Sequence, residues 1–262
     1  MFFNNLFPFK NLHKTDLSKN ELCELHNAYL NFVKDILAYS YPPTVQNPDL
    51  LRLNAINKIL RILALDEQHY IFQFPIKGIS SFTYFPVFYR NVIKCPKCGR
   101  LENCKLIITE TNNSVSFDIA HHPAIAQPWE RDRLIRSLST IGSSVKNPFI
   151  SDNNNHWGST LYPLFNLLLI RNGFHSSTSG ILDTTAIFYP EKFCDCSSLY
   201  GEIFFDGISF RHIKCGQIID TPENKSIGTI YEIGRLILES NLSFLDLLKY
   251  EGAFSPALIR DK

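Results

Sequence analysis

Apolar positions recur at helical spacing through the first quarter of the chain. Over residues 15–39, Leu22, Leu25, Tyr29, Phe32, Val33, Ile36 and Leu37 fall every three or four positions, with Asp16 or Ser18 placed to cap the start. Pro42 and Pro43 end that helix, because each lacks an N–H donor and biases its predecessor towards extended angles. A second helix is predicted from about Asp49 to Leu65, with Leu50, Leu53, Ile56, Ile59, Leu60 and Leu63 on one side. After Gln68 the pattern changes to short β-branched and aromatic runs at 70–74, 81–94, 104–110 and 114–120, which read as strands. Helical spacing returns over 129–141 through Leu134, Leu138 and Ile141, stopped by Gly142. A polar loop then leads to an apolar strand at 164–170, which ends at Asn172-Gly173 before a helix opening near His175 or Ser176. The last third alternates strands at 186–189, 201–205 and 208–213 with a helical stretch over about 226–248.

This order predicts an α+β protein in which N-terminal helices pack on a mixed sheet body. The division expected is a helical region over 1–66 and an α+β body over 67–262, without internal repeats.

Composition narrows the classes. With 45% apolar and 13% aromatic residues in 262, the chain can bury a large core. Its 26 basic and 25 acidic residues leave a net charge of +1, so the global electrostatic footprint of a nucleic-acid or membrane binder is absent. The most apolar run, Leu161 to Ile170, is about half the ~20 residues a membrane helix needs, and no export signal is read at the start. Seven cysteines, an odd number, then suggest reduced thiols or metal ligands and a cytoplasmic protein.

Two places carry candidate chemistry. Cys95 and Cys98, two residues apart and followed by Gly99, form a knuckle in which backbone amides can point at thiolate sulfur. A structural zinc needs four ligands, and the set Cys95, Cys98, Cys194 and Cys196 would supply them, with Cys104 as a further candidate. The alternatives are ordinary reduced cysteines, or a thiol-redox pair at Cys95 and Cys98. The second place is the turn after the 164–170 strand. A helix opening there offers free N–H groups and the positive end of its dipole, joined by the hydroxyls of Ser176, Ser177, Thr178 and Ser179, so the turn makes a candidate anion pocket with Asn172, Gly173, Ser176 and Ser177 as its binding residues. Capping by one serine is the simpler explanation. His175, with His121, His122 and His156, supplies candidate acid–base groups, and Trp129 and Trp157 either stack a base or fill the core.

The span from 117 to 185, with its His122-Pro123, Pro128-Trp129 and Asn172-Gly173-Phe174-His175-Ser176 order, resembles the ParB/sulfiredoxin-like core and an uncharacterised group of bacterial proteins sharing those dipeptides. The resemblance implies a phosphate-binding turn in which Gly173 takes the place of the turn glycine. Ser176 stands where the family carries an arginine, so Arg171, or Arg131 and Arg133 on the preceding helix, would have to bring the charge. The functional expectation is a protein that binds a nucleotide or nucleic-acid backbone at 172–177, with phosphoryl or phosphodiester hydrolysis as the reaction class. Its rival is a non-enzymatic interaction protein of a bacterial defence or regulatory system.

Overall fold

In the computed structural model, which describes residues 17–252 apart from 81–85, 91, 102–103, 112–114, 153–154 and 185, Ser18 opens the first helix, α1 (Lys19–Ala38). The Ser18 hydroxyl accepts the Glu21 N–H while the Glu21 carboxylate accepts the Ser18 N–H, so two orphan donors are satisfied reciprocally. Pro48 begins α2 (Pro48–Ile76), where its missing N–H costs nothing. This helix runs on past Leu65 and absorbs residues 70–74, which the sequence reads as a strand. The reason is tertiary: Ile71 is fully buried, and the Gln68 carboxamide oxygen accepts the Ala126 N–H at 2.8 Å on the edge of the main sheet. Burial on several sides outweighs the β preference of an aromatic run.

The body follows as short strands: β1 (Lys94–Cys95), β2 (Gly99–Arg100), β3 (Ile107–Glu110), β4 (Phe117–Asp118) and β5 (Ala124–Ala126). Next come α3 (Arg131–Thr140), β6 (Thr160–Tyr162), β7 (Leu167–Ile170), α4 (Phe174–Asp183), β8 (Ile187–Phe188) and β9 (Lys192–Asp195). A meander of β10 (Ile203–Phe205), β11 (Phe210–His212) and β12 (Ile218–Asp220) precedes α5 (Ser226–Glu239) and α6 (Phe244–Tyr250). The expected final helix is therefore two, broken where Asn241 takes a left-handed φ of 55°. Of the predicted 81–94 strand, 81–85 and 91 lie outside the described residues, and Val87–Tyr89 form a 3₁₀ turn.

The main sheet has the order β3-β9-β6-β7-β5, with β5/β7 and β6/β9 parallel and the other neighbours antiparallel. The molecule is α+β, as its pattern predicts, with α1 and α2 packed against α5 and α2 lying on β5. Phe88, Phe165, Tyr162 and Tyr231 lock helices and sheet together, Phe88 and Phe165 at 4.9 Å and Tyr162 and Phe165 stacked at 5.5 Å. Among the described residues, no helix is long and apolar enough to cross a membrane.

Between α1 and α5, His26 is buried with Nδ1 3.0 Å from the Thr229 hydroxyl oxygen. Burial pushes its pKa down to about 4, against the pull of Asp206. An unfolded histidine titrates near 6.5, so on acidification the unfolded chain takes up this proton first. Stability is therefore complete above about pH 6.5 and is lost as pH falls towards 4, by roughly 2–3 kcal/mol. Denaturant titrations across this range will show the loss, and His26→Gln will flatten it; an unchanged slope in the variant excludes His26 as the cause.

Candidate functional site

Two tight hairpins present the same five-residue pattern to each other. In Cys95-Pro96-Lys97-Cys98-Gly99 the β1–β2 turn ends at Gly99 with φ 79°, and the N–H groups of Cys98 and Lys97 donate to Cys95 Sγ. In His212-Ile213-Lys214-Cys215-Gly216 the β11–β12 turn ends at Gly216 with φ 68°, whose N–H donates to the His212 carbonyl at 2.8 Å. Glycine takes this left-handed turn at little cost. The two knuckles bring Cys95, Cys98, His212 and Cys215 together, with ligand atoms all within 4.8 Å of one another. Cys215 Sγ lies 3.4 Å from Cys95 Sγ, 3.5 Å from Cys98 Sγ and 3.0 Å from His212 Nδ1. A tetrahedral ion with metal–sulfur bonds of about 2.3 Å sets its sulfurs about 3.8 Å apart. The tetrad could hold such an ion with an expansion of a few tenths of an ångström. Burial disfavours the Cys95 thiolate, yet the amides of Cys98 and Lys97 and the Cys215 thiol more than offset it and hold this pKa down to about 6. The bond to Cys215, with burial, pushes Cys98 up to about 11.

Cys194 and Cys196, the second pair expected from the sequence, are not part of this tetrad. Cys194 sits on β9 opposite Ile108, Cys196 follows the strand at the start of a 3₁₀ turn, and both are buried in the core. Burial pushes Cys194 up to about 11 and Cys196 well above the usual thiol range, so both act as small hydrophobes. Cys104 is buried likewise. The partner knuckle carries a histidine as its first ligand, so no cysteine pair marks it in the sequence, although both knuckles share a Lys-Cys-Gly ending.

The turn into α4 forms where expected. Gly173 has φ 67°, and a Cβ there would stand 2.3 Å from His156 Cδ2 and 2.6 Å from the Asn155 carbonyl oxygen. Beside it, the Asp152 N–H donates to His156 Nδ1 at 3.0 Å, and His156 Nε2 lies 2.9 Å from Ser176 Oγ, which donates to the Gly173 carbonyl. With the proton on Nε2, His156 donates to Ser176. With it on Nδ1, 3.1 Å from the Asp152 carbonyl, Nε2 can accept from Ser176 instead. His175 Nε2 accepts the Glu130 N–H at 3.0 Å, a bond that ties the starts of α3 and α4 together. Burial lowers the pKa of both imidazoles, so they are neutral at neutral pH.

Around this junction Trp129 is exposed with its ring edge against His175 at 5.8 Å, and the Arg133 guanidinium lies 5.6 Å over it while pairing with Glu130. Arg171 stacks on Tyr89 at 4.3 Å. The hydroxyl run is mostly absorbed by the helix: Thr178 and Ser179 donate to the carbonyls of Phe174 and His175, and Ser177 is fully buried, leaving only Ser176 turned to the opening.

His121 and His122 lie elsewhere. Buried His122 accepts at Nδ1 from the carboxamides of Asn57 and Asn166 and reaches Glu251 at 2.8 Å through Nε2. It fastens α2, the β6–β7 turn and the end of α6. Exposed His121 pairs with Asp118 at 2.8 Å on the rim of a cleft of about 580 Å³. Of the four central histidines, the structure brings His156 and His175 to the first turn of α4.

Residues 9–244 match the model of a family described as one of unknown function. No curated protein and no solved structure matches the chain, so the ParB/sulfiredoxin-like resemblance finds no counterpart among them.

Proposed function

The chain belongs to that family, DUF6710, and for this member we propose the binding of a nucleotide or nucleic-acid phosphate on the face where α3 and α4 begin. The observation that carries the reading is the Glu130–His175 bond, because it sets two helix N-termini side by side and adds their positive dipole ends. Arg131, Arg133 and Arg136 are exposed along α3, and Trp129 and Trp157 are exposed aromatics on which a base can stack. If the ligand is cleaved, His156 is the group for proton transfer, since its Nε2 touches the Ser176 hydroxyl.

The test is titration of a labelled single-stranded oligonucleotide and a fluorescent nucleotide against Trp129→Ala and Arg133→Ala. Each substitution is expected to weaken binding about tenfold, with affinity falling as salt rises. Wild-type affinity in the double variant rejects the site. A non-enzymatic interaction protein is the second reading, favoured by the closed state of His122, whose Nδ1 is occupied by two amides.

For the Cys/His tetrad, the softness of three sulfurs and one imidazole supports zinc as the occupant. Four protein ligands leave no open position, which supports a structural role.

A further inference from the structure

His212 does more than complete the tetrad. Its Nδ1 faces Cys215 Sγ at 3.0 Å, while Nε2, on the far side of the ring, lies 3.3 Å from Glu202 Oε2. Glu202 is only 5% exposed and comes from the turn before β10, a different segment from either knuckle. Its other carboxylate oxygen is 3.5 Å from Lys214 Nζ, inside the second knuckle. A carboxylate this buried needs charged or hydrogen-bonding partners, and Glu202 has them in the His212 ring and the Lys214 ammonium, both from the second knuckle.

We infer that the tetrad binds zinc through Nδ1 of His212, and that Glu202 is the positioning residue that accepts the hydrogen bond of the Nε2–H group and fixes the imidazole for the metal. The inference rests on the zinc reading and deepens it. Carboxylate–histidine–metal relays of this kind hold the ring in one tautomer and make the ligating nitrogen a stronger donor. His212 Nδ1 already lies among the tetrad's ligand atoms, 3.0 Å from Cys215 Sγ. Docking follows from the same contacts: the backbone of Glu202 accepts the Ile213 N–H at 2.8 Å, so the segment before β10, the meander and the Cys95–Cys98 hairpin are joined at one point. The rival arrangement of the same atoms is a nucleophilic Cys215–His212–Glu202 relay with no metal, in which the imidazole takes the thiol proton.

The experiment uses the full chain. Metal content is measured on the purified protein, and cobalt(II) is substituted to read the coordination from its absorption. One zinc per chain, a tetrahedral cobalt spectrum with sulfur-to-metal charge transfer, and slow alkylation of Cys98 and Cys215 by iodoacetamide are expected. Glu202→Gln is expected to weaken zinc about 10–100-fold in competition with a chelator, with the tetrahedral spectrum retained. Glu202→Asp recovers part of the loss. Nitrogen-15 spectra of the zinc-loaded protein will place the His212 proton on Nε2 in the wild type. A metal-free protein with a rapidly alkylated Cys215 overturns the zinc reading and leaves the nucleophilic relay. Bound zinc with undiminished affinity in both Glu202 variants overturns the role of Glu202 alone. Should Glu202→Gln fail to fold, the Glu202→Asp affinity and the imidazole spectrum still decide.

Discussion

On the zinc reading proposed for the Cys95, Cys98, His212 and Cys215 tetrad, a chelator will lower the melting temperature by about 10 °C or more, and Cys215→Ser will do the same without one. The size follows from what the ion joins. The β1–β2 hairpin has two residues per strand, too few to hold its place by hydrogen bonding alone. Arg90 and Asp220 link the same regions at 2.9 Å, but a partly exposed ion pair contributes about 1 kcal/mol or less. Structural zinc contributes several times more, because its binding energy becomes folding energy. At about 2–4 °C per kcal/mol for a chain of this size, a loss of roughly 4 kcal/mol gives the stated shift. Thermal unfolding of the wild type with and without chelator, beside Cys215→Ser, checks it. Three coincident melting curves at the untreated temperature contradict a structural metal. Cys194→Ser serves as the contrast: it costs stability through packing, and its response to chelator stays that of the wild type.

Gly173→Ala will cost about 2–4 kcal/mol and will abolish the phosphate binding proposed at the start of α4. A side chain at φ 67° meets a backbone penalty of about 1–2 kcal/mol. The new Cβ would also collide with the His156 ring and with the Asn155 carbonyl oxygen, which is backbone and yields only if the loop moves. Moving that loop separates His156 from Ser176. Gly78→Ala isolates the first cost, since Gly78 has φ 74° and nothing within 4 Å of its added Cβ. Denaturant titration should therefore give a loss of about 1 kcal/mol at Gly78 and a clearly larger one at Gly173. Equal losses at the two positions show that the His156 contact does not constrain the turn.

Local rules carried much of this fold. Of the two caps the sequence offers, Ser18 opens α1, and the prolines after α1 and the Asn172-Gly173 break take the roles that their local sequence predicts. Pattern and fold diverge where distant partners decide. Residues 70–74 look like a strand by composition, but α2 is buried beneath a sheet edge there, so the helix continues. The hydroxyls after His175 look like a ligand shell, but the helix turns most of them inward onto its own carbonyls.

The same division runs through the candidate sites. Sequence alone determined that Cys95 and Cys98 form a knuckle and that Gly173 begins a helix, because both depend on dihedral angles and on spacing over five residues or fewer. Only the tertiary structure decided that His212 and Cys215 complete the tetrad, while Cys194 and Cys196 join the core. It also decided that His156 and His175 meet α4 while His121 and His122 do not. Ligand partners are set by which segments pack together across more than a hundred residues, and that packing depends on the buried surface of the whole chain rather than on any local pattern.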